Sequence, residues 1–164
     1  AELHKHFNQF QCILNAHEDR RAIAIHENYR RTQMLNGETL TDNSSLVSWS
    51  ALPDTLKEAN RNQADHQAIK CRLLTGKPNC SVDEFSKALE DTQKEQLAII
   101  EHQRWCANKY LDGWAFTEGE KDSRLRLSPS LIKWQALSEN ERQKDRDAIA
   151  NLPELLLLAE QESC

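Results

Sequence analysis

An internal repeat constrains this chain more than any other feature. Residues 47–63, VSWSALPDTLKEANRNQ, lie over residues 132–148, IKWQALSENERQKDRDA, without a gap. The overlay pairs Trp49 with Trp134, Ala51 with Ala136, Leu52 with Leu137 and Arg61 with Arg146. Upstream, AIHENYRR (24–31) lies over IEHQRWCA (100–107), pairing His26 with His102 and Tyr29 with Trp105. The histidine precedes the tryptophan by 23 residues in the first copy and by 32 in the second, and the extra residues fall in GWAFTEGEKDS. Either half alone is too small to bury a good core, so the copies are expected to pack together. The predicted fold is therefore mainly α. Two pseudo-symmetric helical repeats, residues 16–75 and 81–160, would form a single module over 1–164, with short β pieces in the loops.

Glycine and proline are scarce, four of each, so those present punctuate the chain clearly. Residues 2–34 contain neither and read as a helix ended near Asn36 and Gly37. Residues 38–52 read as a polar loop with a short extended piece. Pro53 suits a first helical turn, and that helix would run to about Leu74, before the break at Gly76, Lys77 and Pro78. Ser81 with Glu84 is a capping box, expected to open the longest helix, which Gly113 would close in the left-handed conformation. Residues 115–133 read as loop and short strand. Ser138 with Glu141 is a second capping box, starting a helix to about Asn151, and Pro153 begins a last helix.

Composition narrows the function classes. The longest apolar run, Leu155 to Ala159, is far short of the ~20 residues that a membrane helix needs. A net charge of −5 opposes a general binder of polymeric nucleic acid, which needs a basic surface, but leaves room for a local basic pocket. The five cysteines, Cys12, Cys71, Cys80, Cys106 and Cys164, show no close pairing, so the chain is expected to be reduced and cytoplasmic. His4, His6, Cys12 and His17 lack the spacing of a zinc site, and no metal or cofactor is expected. With no initiator Met and a helix-compatible start, the chain is expected to be a fragment of a longer protein.

Aromatic residues make up only 6% of the chain, yet EHQRWCANKYLDGW (101–114) holds Trp105, Tyr110 and Trp114 beside Glu101, His102, Arg104 and Lys109. On a helix, Leu97, Glu101, Arg104, Trp105, Asn108, Leu111 and Asp112 share one stripe. A solvated face would not need leucine and tryptophan, and a core face would admit Glu and Arg only as a pair. Two readings stand. In one, Glu101 and Arg104 lock the two halves together and Trp105 is core. In the other, Arg104 and Lys109 meet an anion while Trp114 stacks on a planar ring. The following loop, with Phe116, Lys121, Arg124 and Arg126, suits a nucleotide, or simply plugs the core.

The order of these motifs resembles the RyR domain, the repeat found in tandem in ryanodine receptors and in a range of bacterial proteins. EHQRWCANKYLDGW, Lys121-Asp122 and LSPSLIKWQALSENERQKDRDAIANLPELL carry the resemblance, with IHENYRR and SWSAL in the first copy. It spans roughly residues 16–160, and the first copy departs from it by lacking the Gly-Trp loop. The resemblance implies an α-rich, pseudo-symmetric, non-enzymatic module of a larger protein, attached in bacteria to channel-like membrane segments or nucleotide-binding regulatory domains. In animals the link between repeats can be phosphorylated; here that link, TGKPNCSVDEFSKALED, is short, and the property is not carried over.

Catalysis finds little support. HENYR is not His-Glu-x-x-His, because position 30 is Arg30, and neither a Gly-rich phosphate loop nor a nucleophile elbow is present. The expected function is a regulatory sensor of a small anionic, nucleotide-like ligand, bound in the groove where the repeats meet. The expected ligand-binding residues are His26, Tyr29, Arg30, Glu101, Arg104, Trp105, Lys109, Trp114 and Lys121. Two alternatives remain open: a protein-interaction or assembly module with no small ligand, and a nucleotide hydrolase. The rest of a larger, membrane-bound protein is an expected partner, and a homo-oligomer is compatible. Arg61 and Arg146 would face carboxylates across the pseudo-axis or cup an anion together.

Overall fold

The structure, a computed structural model, describes the backbone of residues 2–162 and the side chains of residues 19–157. His4, His6, Cys12 and His17, for which no metal was expected, lie outside the described side chains, as does Cys164. The fold is mainly α. The chain divides into two compact units, residues 1–68 with 158–164, and residues 69–157.

In the first unit, α1 (Glu2–Leu35) is the longest helix, displacing the expected one after Ser81. It closes through Gly37 at φ 89°, with Glu38 N–H reaching the Gln33 carbonyl. Residues 38–52 hold two 3-10 turns, Ser44–Leu46 and Trp49–Ala51, where an extended piece was expected. Asn43 caps the first of them through the Ser45 N–H. Pro53 is the N-cap of α2 (Asp54–Asp65), one place before the first turn. Ala22, Ile25, Leu46, Leu52 and Ala64 are buried in this unit.

The helix expected to reach Leu74 breaks at His66, and α3 (Gln67–Thr75) restarts there. No glycine or proline marks the break. The restart turns Lys70 and Cys71 fully inward, and tertiary packing sets that orientation. The capping box at Ser81 is present, but it opens only α4 (Val82–Ala88). Leu89 then leaves helical geometry and extended Glu90 starts α5 (Asp91–Leu111), again with no breaker residue.

Past α5, the strands β1 (Ala115–Phe116) and β2 (Leu127–Ser128) pair in parallel, Ala115 opposite Leu127. A 3-10 turn at Trp134–Ala136 leads to α6 (Glu139–Ala150), which Ser138 caps by accepting from the Glu141 N–H. The Glu141 carboxylate does not complete a capping box; it bonds Ser130 and Lys144. In α7 (Leu152–Glu162), Leu152, Leu155 and Leu156 are buried. The second unit closes around Phe85, Leu97, Ala98, Trp134, Leu137, Ile149, Leu152 and Leu156.

One correction concerns cysteine. Cys71 and Cys80 form a disulfide with Cα atoms 5.8 Å apart, within the usual span for such a bridge. The expectation of a wholly reduced chain overlooked it because a spacing of nine residues does not show that the chain turns back between the two cysteines. The turn through Gly76 and Pro78 folds the end of α3 back onto the start of α4. Among the described residues Cys106 is the free cysteine.

Each unit by itself holds the same set of local contacts. His26 Nε2 donates to the Val47 carbonyl and His102 Nε2 to the Ile132 carbonyl, both at 2.8 Å. Each histidine lies tilted against a tryptophan, Trp49 at 6.0 Å and Trp134 at 5.9 Å between ring centroids. Arg61 bonds Asp19 at 2.6 Å, and Arg146 bonds Glu95 at 2.7 Å, each carboxylate lying seven residues before the corresponding histidine. These pairings correct the expectation for the arginines. Each is held by carboxylates of its own unit, Arg61 also by Glu58 and Arg146 also by Glu139.

Candidate functional site

Helix α5 lacks the clean apolar stripe of a pure core helix, and its central turn buries charge. Glu101 is 2% exposed, and Lys70, which reaches it from α3, is wholly buried. The Lys70 ammonium donates to Glu101 Oε2 at 2.5 Å. Arg104 donates to Oε1 through Nε at 2.9 Å and Nη2 at 2.6 Å. Burial alone would raise the Glu101 carboxyl, but Lys70 and Arg104 together hold it down at about 2. Burial also lowers Lys70, against the pull of Glu101.

This triad ties α3 to α5 within the second unit, Lys70 standing in the expected first repeat, residues 16–75, and Glu101 and Arg104 in the expected second. It leaves one loose end. Arg104 Nη1 is buried and has no hydrogen-bond partner among the described residues. A buried donor without an acceptor costs about 1–3 kcal/mol, more on a charged group.

Along the same helix runs a row of rings and cations. His102 stacks on Trp105, centroids 5.8 Å apart and planes 19° apart. The Lys109 ammonium lies 5.9 Å from the Trp105 ring and 4.2 Å from the Trp114 ring, and Lys121 stands 5.9 Å from Trp114. The helix terminus makes this arrangement. Gly113, at φ 78°, lets Trp114 N–H turn back to the Lys109 carbonyl at 2.9 Å, which brings the indole over its own last helical turn. Arg126, itself at φ 55°, donates from Nη1 to the Asp112 carbonyl and closes the same helix end. Lys109 makes no ion pair among the described residues. Burial, then the neighbouring Lys121, lower its pKa against the pull of Asp112.

The expectation that Trp114 offers an open face to a planar ring changes accordingly, since the Lys109 ammonium covers one face. An anion between Lys109 and Lys121 would relieve their repulsion, and any ring would have to share or displace that ammonium.

A third group lies next to the row. His102 Nδ1 stands 3.4 Å from Asp145 Oδ2, and Cys106 Sγ 3.4 Å from His102 Nε2. The set has the residue types of a thiol nucleophile site but not its chemistry. Nε2 gives its proton to the Ile132 carbonyl and has no lone pair to accept one from the thiol. Burial and the nearby Asp145 push the Cys106 thiol up to about 11, so it stays protonated at neutral pH. Burial works against the charged His102, yet Asp145 and the Ile132 carbonyl hold its pKa above the ordinary value. The same burial raises Asp145.

The expected site residues fall into separate groups. In the first unit His26 serves the Val47 carbonyl, the Tyr29 hydroxyl accepts from Asn43, and Arg30 holds the Leu46 carbonyl and Glu27. In the second, Glu101 and Arg104 form the buried triad, and Trp105, Lys109, Trp114 and Lys121 form the row. Sequence reasoning missed Lys70, Asp145 and Cys106. Cys106 was legible as one turn beyond His102 on a helix. Lys70 and Asp145 carry no local signal, because their partners are 31 and 43 residues away. No group of residues able to hold a metal occurs among the described residues. No described helix is long and apolar enough to cross a membrane.

The family model described as RyR domain matches residues 79–161, half of the chain. The chain belongs to the RyR domain family. The matched span holds α4 to α7, the ring-and-cation row, Glu101 with Arg104, and the His102–Asp145 pair. Lys70 lies outside the matched RyR domain, as do residues 16–75, expected from the sequence to be a first repeat. No curated protein matches the chain.

Proposed function

We propose that the chain is a non-catalytic sensor module, the cytoplasmic part of a larger channel-like or effector protein, and that it binds a small anionic ligand. The observation that carries this reading is the buried Arg104 Nη1, which has no partner among the described residues. Evolved interiors satisfy such groups, and an anionic oxygen would complete this one. The Lys109 and Lys121 ammoniums around Trp114 add a second cationic point with an aromatic wall. A nucleotide or nucleotide-derived signal combines the required negative charge with a flat ring. Binding would shift the module between arrangements in proportion to its differential affinity for them.

Thermal melting with a panel of mono-, di- and cyclic nucleotides tests the reading. A ligand at a hundred times its Kd stabilises by ~2.7 kcal/mol, a rise of several degrees. Lys109→Met should keep the fold and lose the rise. If no nucleotide shifts the melting point, or Lys109→Met retains the shift, this assignment is wrong.

One observation favours an assembly role instead. Leu111 (89% exposed), Phe116 and Leu125 are large apolar residues left open near the end of α5. Under that reading the chain self-associates with concentration in light scattering, and Leu111→Lys abolishes the association.

A further inference from the structure

Cys71 directly follows Lys70 in α3, and Cys80 directly precedes Ser81, the N-cap of α4. The disulfide therefore staples the helix that carries Lys70 to the start of the next one. With nine residues, α3 is too short to hold its helical form unaided. Its inward face, Lys70 and Cys71, is anchored by one ion pair and one covalent bond. A buried ion pair sits close to break-even between desolvation and attraction, so it holds only while its geometry is kept. The covalent bond keeps that geometry.

We infer that the Cys71–Cys80 disulfide is a redox control on the Lys70–Glu101–Arg104 triad, and through Arg104 on ligand capture. The effect on the triad stands on the contacts above; the effect on capture rests on the function proposed for Arg104. While the disulfide is closed, Lys70 occupies Glu101 Oε2, and Arg104 is left with one nitrogen to offer. Once it opens, α3 loses its tether and Lys70 leaves Glu101. Both carboxylate oxygens are then open to Arg104, which gives up its Nε contact and turns end-on, so that Nη1 and Nη2 each take one oxygen and Nη1 is withdrawn from the ligand.

The chemistry is thiol–disulfide exchange with a dithiol as reductant. One thiolate of the dithiol attacks Cys80 Sγ, and Cys71 leaves as a thiolate that takes a proton from water. The second thiol of the dithiol then resolves the mixed disulfide and releases Cys80, so two electrons pass to the cysteine pair and the dithiol becomes a disulfide. Both sulfurs are buried, but residues 76–79 between them are exposed, so local opening of that loop admits the reductant.

The test uses the full chain, oxidised or treated with dithiothreitol, and reads lysine acetylation by mass spectrometry. Lys70 is wholly buried, while Lys57 in the first unit, 19% exposed, reports on global unfolding. On reduction, Lys70 should label about tenfold faster with Lys57 unchanged, as a local opening requires. The melting point should fall by roughly 5–10 °C, the order expected for a short disulfide loop in a chain of this size. Cys71→Ser with Cys80→Ser should reproduce the reduced pattern and ignore dithiothreitol. Nucleotide affinity should fall about tenfold or more on reduction, as removal of a charged hydrogen bond predicts. Unchanged Lys70 labelling, or equal acceleration at Lys57, overturns the inference. Faster Lys70 labelling with undiminished nucleotide affinity overturns control of binding. Faster Lys70 labelling in a chain that binds no nucleotide in either state supports control of the triad and removes the ligand reading instead.

Discussion

Glu101 is the residue on which the second unit most depends. Both of its oxygens are used, one by Lys70 and one by Arg104, and neither Glu101 nor Lys70 has bulk water to fall back on. Glu101→Gln leaves a buried ammonium and a buried guanidinium facing a neutral amide, so urea denaturation should show a loss of about 3–5 kcal/mol. The pH dependence follows from the directions of the shifts. Glu101 falls to about 2 on folding, so its stabilisation is complete above the ordinary carboxylate range and lost as pH drops toward that value. His102 has the opposite sign: its pKa rises on folding, so its stabilisation is present below ~6.5 and lost as pH climbs through the folded value. Urea midpoints across pH should therefore fall at both ends, and Glu101→Gln should make the acid limb shallower, Glu95 and Glu141 supplying part of the remainder, while leaving the alkaline limb in place. The sequence showed Glu101 and Arg104 as a pair on one face. It did not show Lys70, because a lysine mid-helix looks solvated until a distant carboxylate is brought against it.

At the scale of elements, helix ends were easier to read than helix interiors. Gly37, Gly113, Ser81 and Ser138 each act where their local chemistry predicts, because a cap depends on neighbours within a turn. The interruptions at His66 and at Leu89–Glu90 were not legible. Neither has a breaker residue, and both arise where the chain reorients to bury Lys70, Cys71 or Leu97. Gly113 tests this level directly. A methyl group there must accept φ 78° and would stand 3.4 Å from Arg126 Nη1. Gly113→Ala should cost about 1–2 kcal/mol from the left-handed backbone alone. It should also loosen Trp114 from Lys109, seen as a red-shifted tryptophan emission; an unchanged spectrum would mean the Schellman turn does not set the position of Trp114.

Across the whole molecule, Arg61 and Arg146 make a matched pair of probes. Each bonds a carboxylate in its own unit, and they share no partner. Both bridges are partly exposed, so Arg61→Ala and Arg146→Ala should each cost no more than about 1 kcal/mol, and the double variant should equal their sum within roughly 0.5 kcal/mol. A larger coupling in a double-mutant cycle would mean that the two arginines act on common ground. The sequence alone determined the α-rich class, the recurring histidine, tryptophan and arginine positions, the caps, and the RyR kinship, read over roughly residues 16–160 and matched by the family model over residues 79–161, because all of these are written in local spacing. Only the tertiary structure decided the Lys70–Glu101 bond, the Cys71–Cys80 bridge, the His102–Asp145 contact and the covering of Trp114 by Lys109. Each of these rests on where the chain returns in space. Burial then sets what the groups can do: it strengthens Glu101 as an anion, keeps the Cys106 thiol inert, and leaves Arg104 with one nitrogen still to satisfy.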